Sequence, residues 1–429
     1  MKCPPLDPEL FVGNRGRLVG AMAQGSLAVV NSNDPQPSNA DGILGFRQNS
    51  DLFYLTGVDQ EETTLVLFPG AAREEMREVL FLRETNEHIA LWEGEKLTKE
   101  QARQRTGIKT VYWSHQFWSV VRPLLMECES VYLNSNEHAR AGEEVETLAL
   151  RFIHEFKRRY PLHPLRRLAP LVYPLRAVKS PEERRVLQKA SEITRDGFLR
   201  VLRCLRPGMM EYEIEAEMLH EYLRRGAEGF AYSPIVGSGK RACILHYLEN
   251  NQVCQEGELV LMDAAACYGY YNADLTRTIP VSGRFSERQR AVYDAVLRVF
   301  REACQILRPG VVLREYQKEV EKVMASELVG LGLLTKEEVE QAPADKPAVK
   351  KFFMHGTSHL LGLDVHDVGP ADIVVKKGMV FTVEPGIYLP EESLGVRLEN
   401  NIVIEADGFT DLMADIPIEA EEIETLMHS

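Results

Sequence analysis

The chain has 429 residues, 45% hydrophobic and 27% charged, with a formal net charge of −14. That length exceeds what one hydrophobic core usually sustains, so two domains are expected, and the acidic balance disfavours nucleic acid and anionic membranes as main partners. No apolar run is long enough to span a bilayer, the opening MKCPPLDPELFVG lacks a signal peptide's apolar core, and seven scattered cysteines without a C-x-x-C pair fit reduced thiols in the cytoplasm.

In chain order, the first elements are short β-rich runs, such as Leu65–Phe68 and Val131–Leu133, alternating with polar helix-like segments. One of these opens at Thr98 with Gln101 three residues on, a capping-box pattern. Residues 160–181 read YPLHPLRRLAPLVYPLRAVKSP, and five prolines there argue against a helix interior or a central strand. The domain junction is therefore expected in this stretch. A small α/β amino-terminal domain would occupy residues 1–165 and a second domain residues 175–429.

The second domain repeats its own grammar. Ser180-Pro181-Glu182-Glu183 opens an amphipathic segment that stops at Leu205-Arg206-Pro207-Gly208, and a second helical pattern follows, EYEIEAEMLHEYLRRG. About a hundred residues later Ser286 with Gln289 opens another helix, ending at Leu307-Arg308-Pro309-Gly310, again followed by a helical stretch. Each helix pair precedes β-rich sequence. One recurring tetrapeptide is weak, since Pro-Gly commonly ends helices, but the shared order of elements points to duplication.

The first β-rich stretch, ELVLMDAAACYGYYNADLTRTIPV, carries Asp263 after four apolar residues and Asp274 at the start of an alternating run with Thr276 and Thr278 on its face. Gly269 lies nearly midway between the aspartates, so a hairpin turning near it would set them side by side. The second stretch, MVFTVEPGIYLPEESLGVRLENNIVIE, ends one apolar strand on Glu384 and carries Glu399 in the next, with Arg397 on its face. Apolar residues flank all four acids, which suits strands buried on both faces. Four carboxylates close together in such a place require protons or cations, and two divalent ions would cancel four charges. Two aspartates, two glutamates and a histidine make a chemically sensible donor set for a pair of metals.

Met354–Gly369, MHGTSHLLGLDVHDVG, concentrates three histidines and two aspartates. His355 and His359 have the spacing of helical zinc ligands, but Gly356 stands where the zinc-peptidase motif needs glutamate. Other motifs fail as well. Gly237-Ser238-Gly239-Lys240 lacks the first glycine and the final Ser/Thr of a phosphate loop, and without a G-x-S-x-G elbow Ser358 is a poor nucleophile.

Asp263 and Asp274 eleven apart, His359 in HGTSHLLGLDVHDVG, Glu384 in TVEPGIY and Glu399 in VRLEN together resemble the pita-bread metallopeptidases, the aminopeptidase P family above all. FRQNSDLFYLTG at 46–57 and VGSGKRACILHYLEN extend the resemblance over the whole chain. It implies a duplicated pita-bread catalytic domain, its antiparallel sheet covered by helices, behind the α/β domain. It implies a dinuclear centre, usually Mn2+ with Co2+ or Zn2+ as alternatives, bridged by Asp274 and Glu399. Asp263 would serve one ion and His359 with Glu384 the other. A water between the ions would attack the carbonyl before proline in Xaa-Pro-Yaa peptides, with Glu384 moving its proton. His246 and His366 would stabilise developing charge, His355 and Tyr388 would contact substrate, and Arg397 would pair with a ligating carboxylate. Asp41 occupies a place where relatives approach a neighbouring subunit's cleft, and a homodimer or homotetramer is expected. Three alternatives remain: an Xaa-Pro dipeptidase (prolidase) with the same five ligands, a non-catalytic binding module, and a methionine aminopeptidase. Intact ligands argue against the module, and the extra α/β domain argues against the last.

Overall fold

The structure, a computed structural model of the whole chain, describes every residue except 143, 144, 344, 370 and 371. The chain divides into two compact units, the first running to Arg176 and the second from Ala177 to Ser429.

Among the described residues the first unit holds six strands: β1 (Ser26–Asn31), β2 (Thr64–Leu67), β3 (Glu78–Leu82), β4 (Thr110–Trp113), β5 (Ser130–Leu133) and β6 (Leu165–Arg167). They form one mixed sheet in the order β4-β3-β2-β1-β5-β6. Antiparallel pairs join β1, β2 and β3, and parallel pairs add β4, β5 and β6. Leu27, Val66, Phe81, Phe117 and Phe156 fill the core between the sheet and its helices. Thr98 and Gln101 cap each other as their spacing predicts, opening the helix Lys99–Thr106.

The proline-rich stretch is more structured than its composition suggests. It contains β6 and a helix, Ala169–Ala177, with Pro174 inside it. Two prolines are tolerable there because Pro170 sits in the first turn, where amide groups have no helical partner, and Pro174 costs a short helix one ladder bond. The first unit accordingly runs past the boundary at 165 that the prolines suggest, to Arg176.

The second unit is built twice from the same parts. Helices Pro181–Cys204 and Glu211–Arg224 precede β7 (Gly229–Phe230), β8 (Ile235–Ser238), β9 (Leu259–Asp263), β10 (Ala266–Tyr268), β11 (Tyr271–Asn272) and β12 (Thr276–Pro280). Helices Glu287–Ile306 and Leu313–Gly330 precede β13 (Val380–Val383), β14 (Gly386–Leu389), β15 (Leu394–Arg397), β16 (Asn400–Ile404) and β17 (Phe409–Asp411). Among the described residues every strand pairing in this unit is antiparallel. Ser180 with Glu183 and Ser286 with Gln289 form the capping boxes that open the first helix of each half.

The likeness extends to single backbone bonds. Gly208 and Gly310 both turn the chain at φ +90°. The Gly208 amide donates to Cys254 O and the Gly310 amide to Val375 O, each at 2.9 Å. Val260, Met262 and Ile193 from one half and Phe381, Ile402 and Val296 from the other share a single hydrophobic core. No helix among the described residues is long and apolar enough to cross a membrane.

Candidate metal centre and cleft

Each half delivers its acids from a hairpin. In the first, Asp263 ends β9 and pairs across with Thr276 of β12. The chain reverses at Gly269 and Tyr270, whose φ angles of +57° and +69° are the two positive values a type I′ turn needs. Asp274 stands two residues before Thr276 on the same face, so it lies diagonal to Asp263 rather than opposite. Its backbone is held by Asn401, whose amide oxygen accepts from Asp274 N–H at 3.0 Å and whose amide nitrogen donates to Asp274 O at 2.6 Å.

In the second hairpin Val383 pairs with Asn400 and Gly386 with Arg397. Glu384 and Glu399 fall between these pairs and therefore face each other where both strands break. Pro385 cannot continue the ladder, and the Glu384 amide instead donates to Thr357 O at 2.8 Å. Gly386 is required by crowding, since a Cβ there would stand 2.7 Å from the Tyr388 hydroxyl.

Asp263, Asp274, His359, Glu384 and Glu399 all line one cleft of about 360 Å³, together with His246, His355, His366 and Arg397. His359 Nε2 lies 3.4 Å from Asp274 Oδ2 and 3.5 Å from Glu384 Oε1. Asp274, His359 and Glu399 offer ligand atoms all within 4.8 Å of one another. His366 meets His359 edge to face, their ring centroids 4.4 Å apart.

Arg397 organises the acids from behind. Its guanidinium donates to Asp263 Oδ2 at 2.6 Å, to the Tyr388 hydroxyl at 2.9 Å and to Thr276 Oγ1 at 3.1 Å. Thr276 in turn donates to Glu399 Oε2 at 2.7 Å. Tyr232 donates to Asp263 Oδ1 at 2.5 Å, so both oxygens of that carboxylate are oriented by hydrogen bonds. Tyr388, expected at the substrate, is fully buried and absent from the described cleft lining. Its hydroxyl bonds His355 Nε2 at 2.7 Å as well as Arg397, so it supports the wall from within. Ser358 bonds Tyr316 at 3.0 Å rather than a histidine, which agrees with its rejection as a nucleophile. Asp41 is exposed in a turn of the first unit.

The electrostatics describe a cage that wants positive charge. Burial, reinforced by Asp274 and Glu384, pushes the Glu399 carboxyl well above its ordinary value. Burial raises Glu384 to about 7, against the pull of His359. Burial opposes charge on His359, yet its hydrogen bond to Asp274 and the charge of Glu384 outweigh that and lift it to about 9. Burial and then Arg397 depress His355 to about 3, which keeps its ring neutral. Glu399 Oε1 is buried with no hydrogen-bond partner among the described residues. An acceptor so placed, among three further carboxylates and an imidazole, fits a divalent cation with hard oxygen ligands.

Tyr232, Asn401 and the aliphatic walls Ile235, Leu245 and Val365 were not singled out by the sequence. Thr276 was placed on the correct face, but its link to Glu399 was not foreseen. The doubled asparagine after Glu399 is the one local signal that pointed towards Asn401.

Comparison with known proteins agrees with this architecture. Residues 185–406 match the family model of metallopeptidase family M24, and residues 11–132 match that of the aminopeptidase P N-terminal domain. An Xaa-Pro aminopeptidase of Escherichia coli strain K12 is 38% identical over 98% of this chain and 98% of its own. A putative aminopeptidase P from Bacillus anthracis superposes with a TM-score of 0.91 at 33% identity, covering 99% of both chains. A zinc-substituted Escherichia coli aminopeptidase P in complex with product gives a TM-score of 0.88 at 36% identity over 99% of both chains. Sequence, fold and buried donor set converge: the chain belongs to the M24 metallopeptidases of pita-bread fold and, within them, to the aminopeptidase P family.

Proposed function

We propose that this metallopeptidase is an Xaa-Pro aminopeptidase, releasing the first residue of peptides with proline in second position. The observation that carries this over a prolidase is the cleft lining. A dipeptidase must receive the free carboxylate of proline, yet among the described lining residues there is no lysine, and the one arginine, Arg397, is committed to Asp263, Tyr388 and Thr276. The activity named for the Escherichia coli relative supports the same reading.

Asp263, Asp274, His359, Glu384 and Glu399 would hold two divalent ions. When bound, such a pair supplies Lewis acidity and lowers the pKa of water enough to furnish a nucleophile at neutral pH. The protein's own groups do the rest. Glu384, whose carboxylate lines the cleft beside His359, would take a proton from water and pass it to the departing proline nitrogen. His246 and His366, exposed on the cleft wall, would stabilise charge developing on the substrate carbonyl oxygen. His355, held neutral with its ring nitrogens bonded to Gly356 O and the Tyr388 hydroxyl, lines the substrate cleft without adding charge. Arg397 and Tyr232 orient Asp263. The acidic cage suits the free amine of the substrate, which limits cleavage to the first residue.

Manganese is the metal we assign, because the donors are mostly oxygen; cobalt or zinc would bind the same set, and availability decides among them. Seven free cysteines support a cytoplasmic location. Exposed Leu91 and Trp92 support a homodimer or homotetramer.

The deciding experiment compares Xaa-Pro-Yaa tripeptides with Xaa-Pro dipeptides in the manganese-loaded protein, following release of the first residue. The expected ratio of kcat/KM is at least about tenfold in favour of the tripeptide, roughly 1.4 kcal/mol of transition-state binding. Preference for the dipeptide would make the protein a prolidase.

A further inference from the structure

The two halves of the catalytic unit differ at the residue that opens their second helix. After each Arg-Pro-Gly turn the second helix begins with an amide bonded across to the following β-rich segment: Glu211 N–H to Gln252 O at 2.9 Å in the first half, Leu313 N–H to Ile373 O at 3.0 Å in the second. The backbone role is the same, and a leucine performs it. The fold therefore does not need a carboxylate there.

In the first half the Glu211 carboxylate is fully buried and accepts four hydrogen bonds from neutral donors. Ser238 gives two, from its amide at 2.8 Å and its hydroxyl at 2.9 Å. The Tyr247 hydroxyl gives a third at 2.8 Å and the Gln252 amide a fourth at 3.0 Å. These donors sit before, within and after one segment, residues 239–251. That segment carries Leu245, His246 and Leu248 into the cleft, and Tyr247 directly follows His246. Tyr247 is buried whereas Ile244 and Leu248 on either side are 52% and 55% exposed. The segment contains no strand after the short helical turn Gly239–Cys243, so no sheet ladder holds His246 in place. Burying a carboxylate is costly unless its acceptors are satisfied, and four donors on one group make a rigid knot.

We propose that Glu211 is a positioning residue for His246, fixing through Tyr247 the segment that presents this histidine to the substrate. The inference rests on the role of His246 in the reading above. Glu211 touches neither the metal-ligand candidates nor the cleft, so its loss acts on turnover and not on metal content.

The test uses full-length, manganese-loaded protein and an Xaa-Pro-Yaa tripeptide. Glu211→Gln sets an amide donor against the donors of the knot, and Tyr247→Phe removes a single hydroxyl with little threat to folding. Each is expected to lower kcat about tenfold with bound metal unchanged. Amide exchange across 239–251 should quicken in Glu211→Gln. In a His246→Ala background, Tyr247→Phe should cost less than about twofold further, because the two changes remove one function. An undiminished loss in that background, or unchanged kcat in Tyr247→Phe together with a folded Glu211→Gln, would overturn the proposal. Faster exchange with unchanged kcat would leave the activity standing and remove only this role of Glu211. Failure of the wild type to release the first residue would remove the activity reading and this inference with it.

Discussion

The first and second halves of the catalytic unit use the same turns and the same backbone bonds, but they supply acids in different geometries. In the first hairpin, likewise interrupted at residues 264–265 and 273–275, Asp263 and Asp274 lie diagonal to each other, and Asp263 is pinned by Arg397 and Tyr232. In the second, Glu384 and Glu399 face each other at a break in both strands, and Glu399 keeps one oxygen unbonded among the described residues. The shorter aspartates need preset hydrogen bonds and the correct diagonal to converge. The longer glutamates reach from opposed positions. Duplication thus yields a site whose two sides are alike in scaffold and unlike in how their acids are placed, and Arg397, from the second half, locks an acid of the first.

The comparison is most sharply broken at Asp274. Asp274→Ala removes an acid that both His359 and Glu399 approach, and it is expected to abolish hydrolysis and empty the centre of divalent metal while the first unit stays folded. Metal analysis beside turnover checks this; two ions and normal rates in the variant would refute the assignment of Asp274 as a ligand.

A smaller effect separates the histidines of the two halves in the metal-free protein. His246 is exposed, whereas burial holds His355 near 3, below its ordinary 6.5. A depressed histidine contributes stability that is complete above about pH 6.5 and is lost as pH falls towards 3, at about 1.4 kcal/mol for each unit. Thermal unfolding of His355→Gln should therefore decline less steeply than wild type between pH 6.5 and pH 5. Parallel curves would mean that His355 is solvated.

The smallest effect tests the equivalence of the two turns. Gly208 and Gly310 share φ +90°, and nothing lies within 4 Å of a Cβ added to either. Alanine at each position should then cost the same, about 1–2 kcal/mol, from backbone strain alone. Denaturant unfolding of the two variants measures it, and unequal costs would show that the repeats differ at the turn itself.

Local chemistry was enough for much of this molecule. The caps at Ser180, Ser286 and Thr98, the reversal near Gly269 and the repeated Arg-Pro-Gly turns depend on neighbours a few residues away, so the sequence alone determined them. The alternation around Asp274 and Glu399 likewise placed both acids beside buried strands, Asp274 two residues before β12 and Glu399 between β15 and β16. What only the tertiary structure decided are bonds between distant residues. Arg397 meets Asp263 across 134 positions, Tyr232 meets Asp263 across 31, and Asn401 meets Asp274 across 127. No period or cap in the chain encodes such meetings, because they follow from how hairpins made far apart pack on one core. The withdrawal of Tyr388 from the cleft and the helix around Pro174 have the same origin. Tertiary packing overrode a local preference at Pro174, and at Tyr388 it selected the buried partners Arg397 and His355 over a place on the open wall.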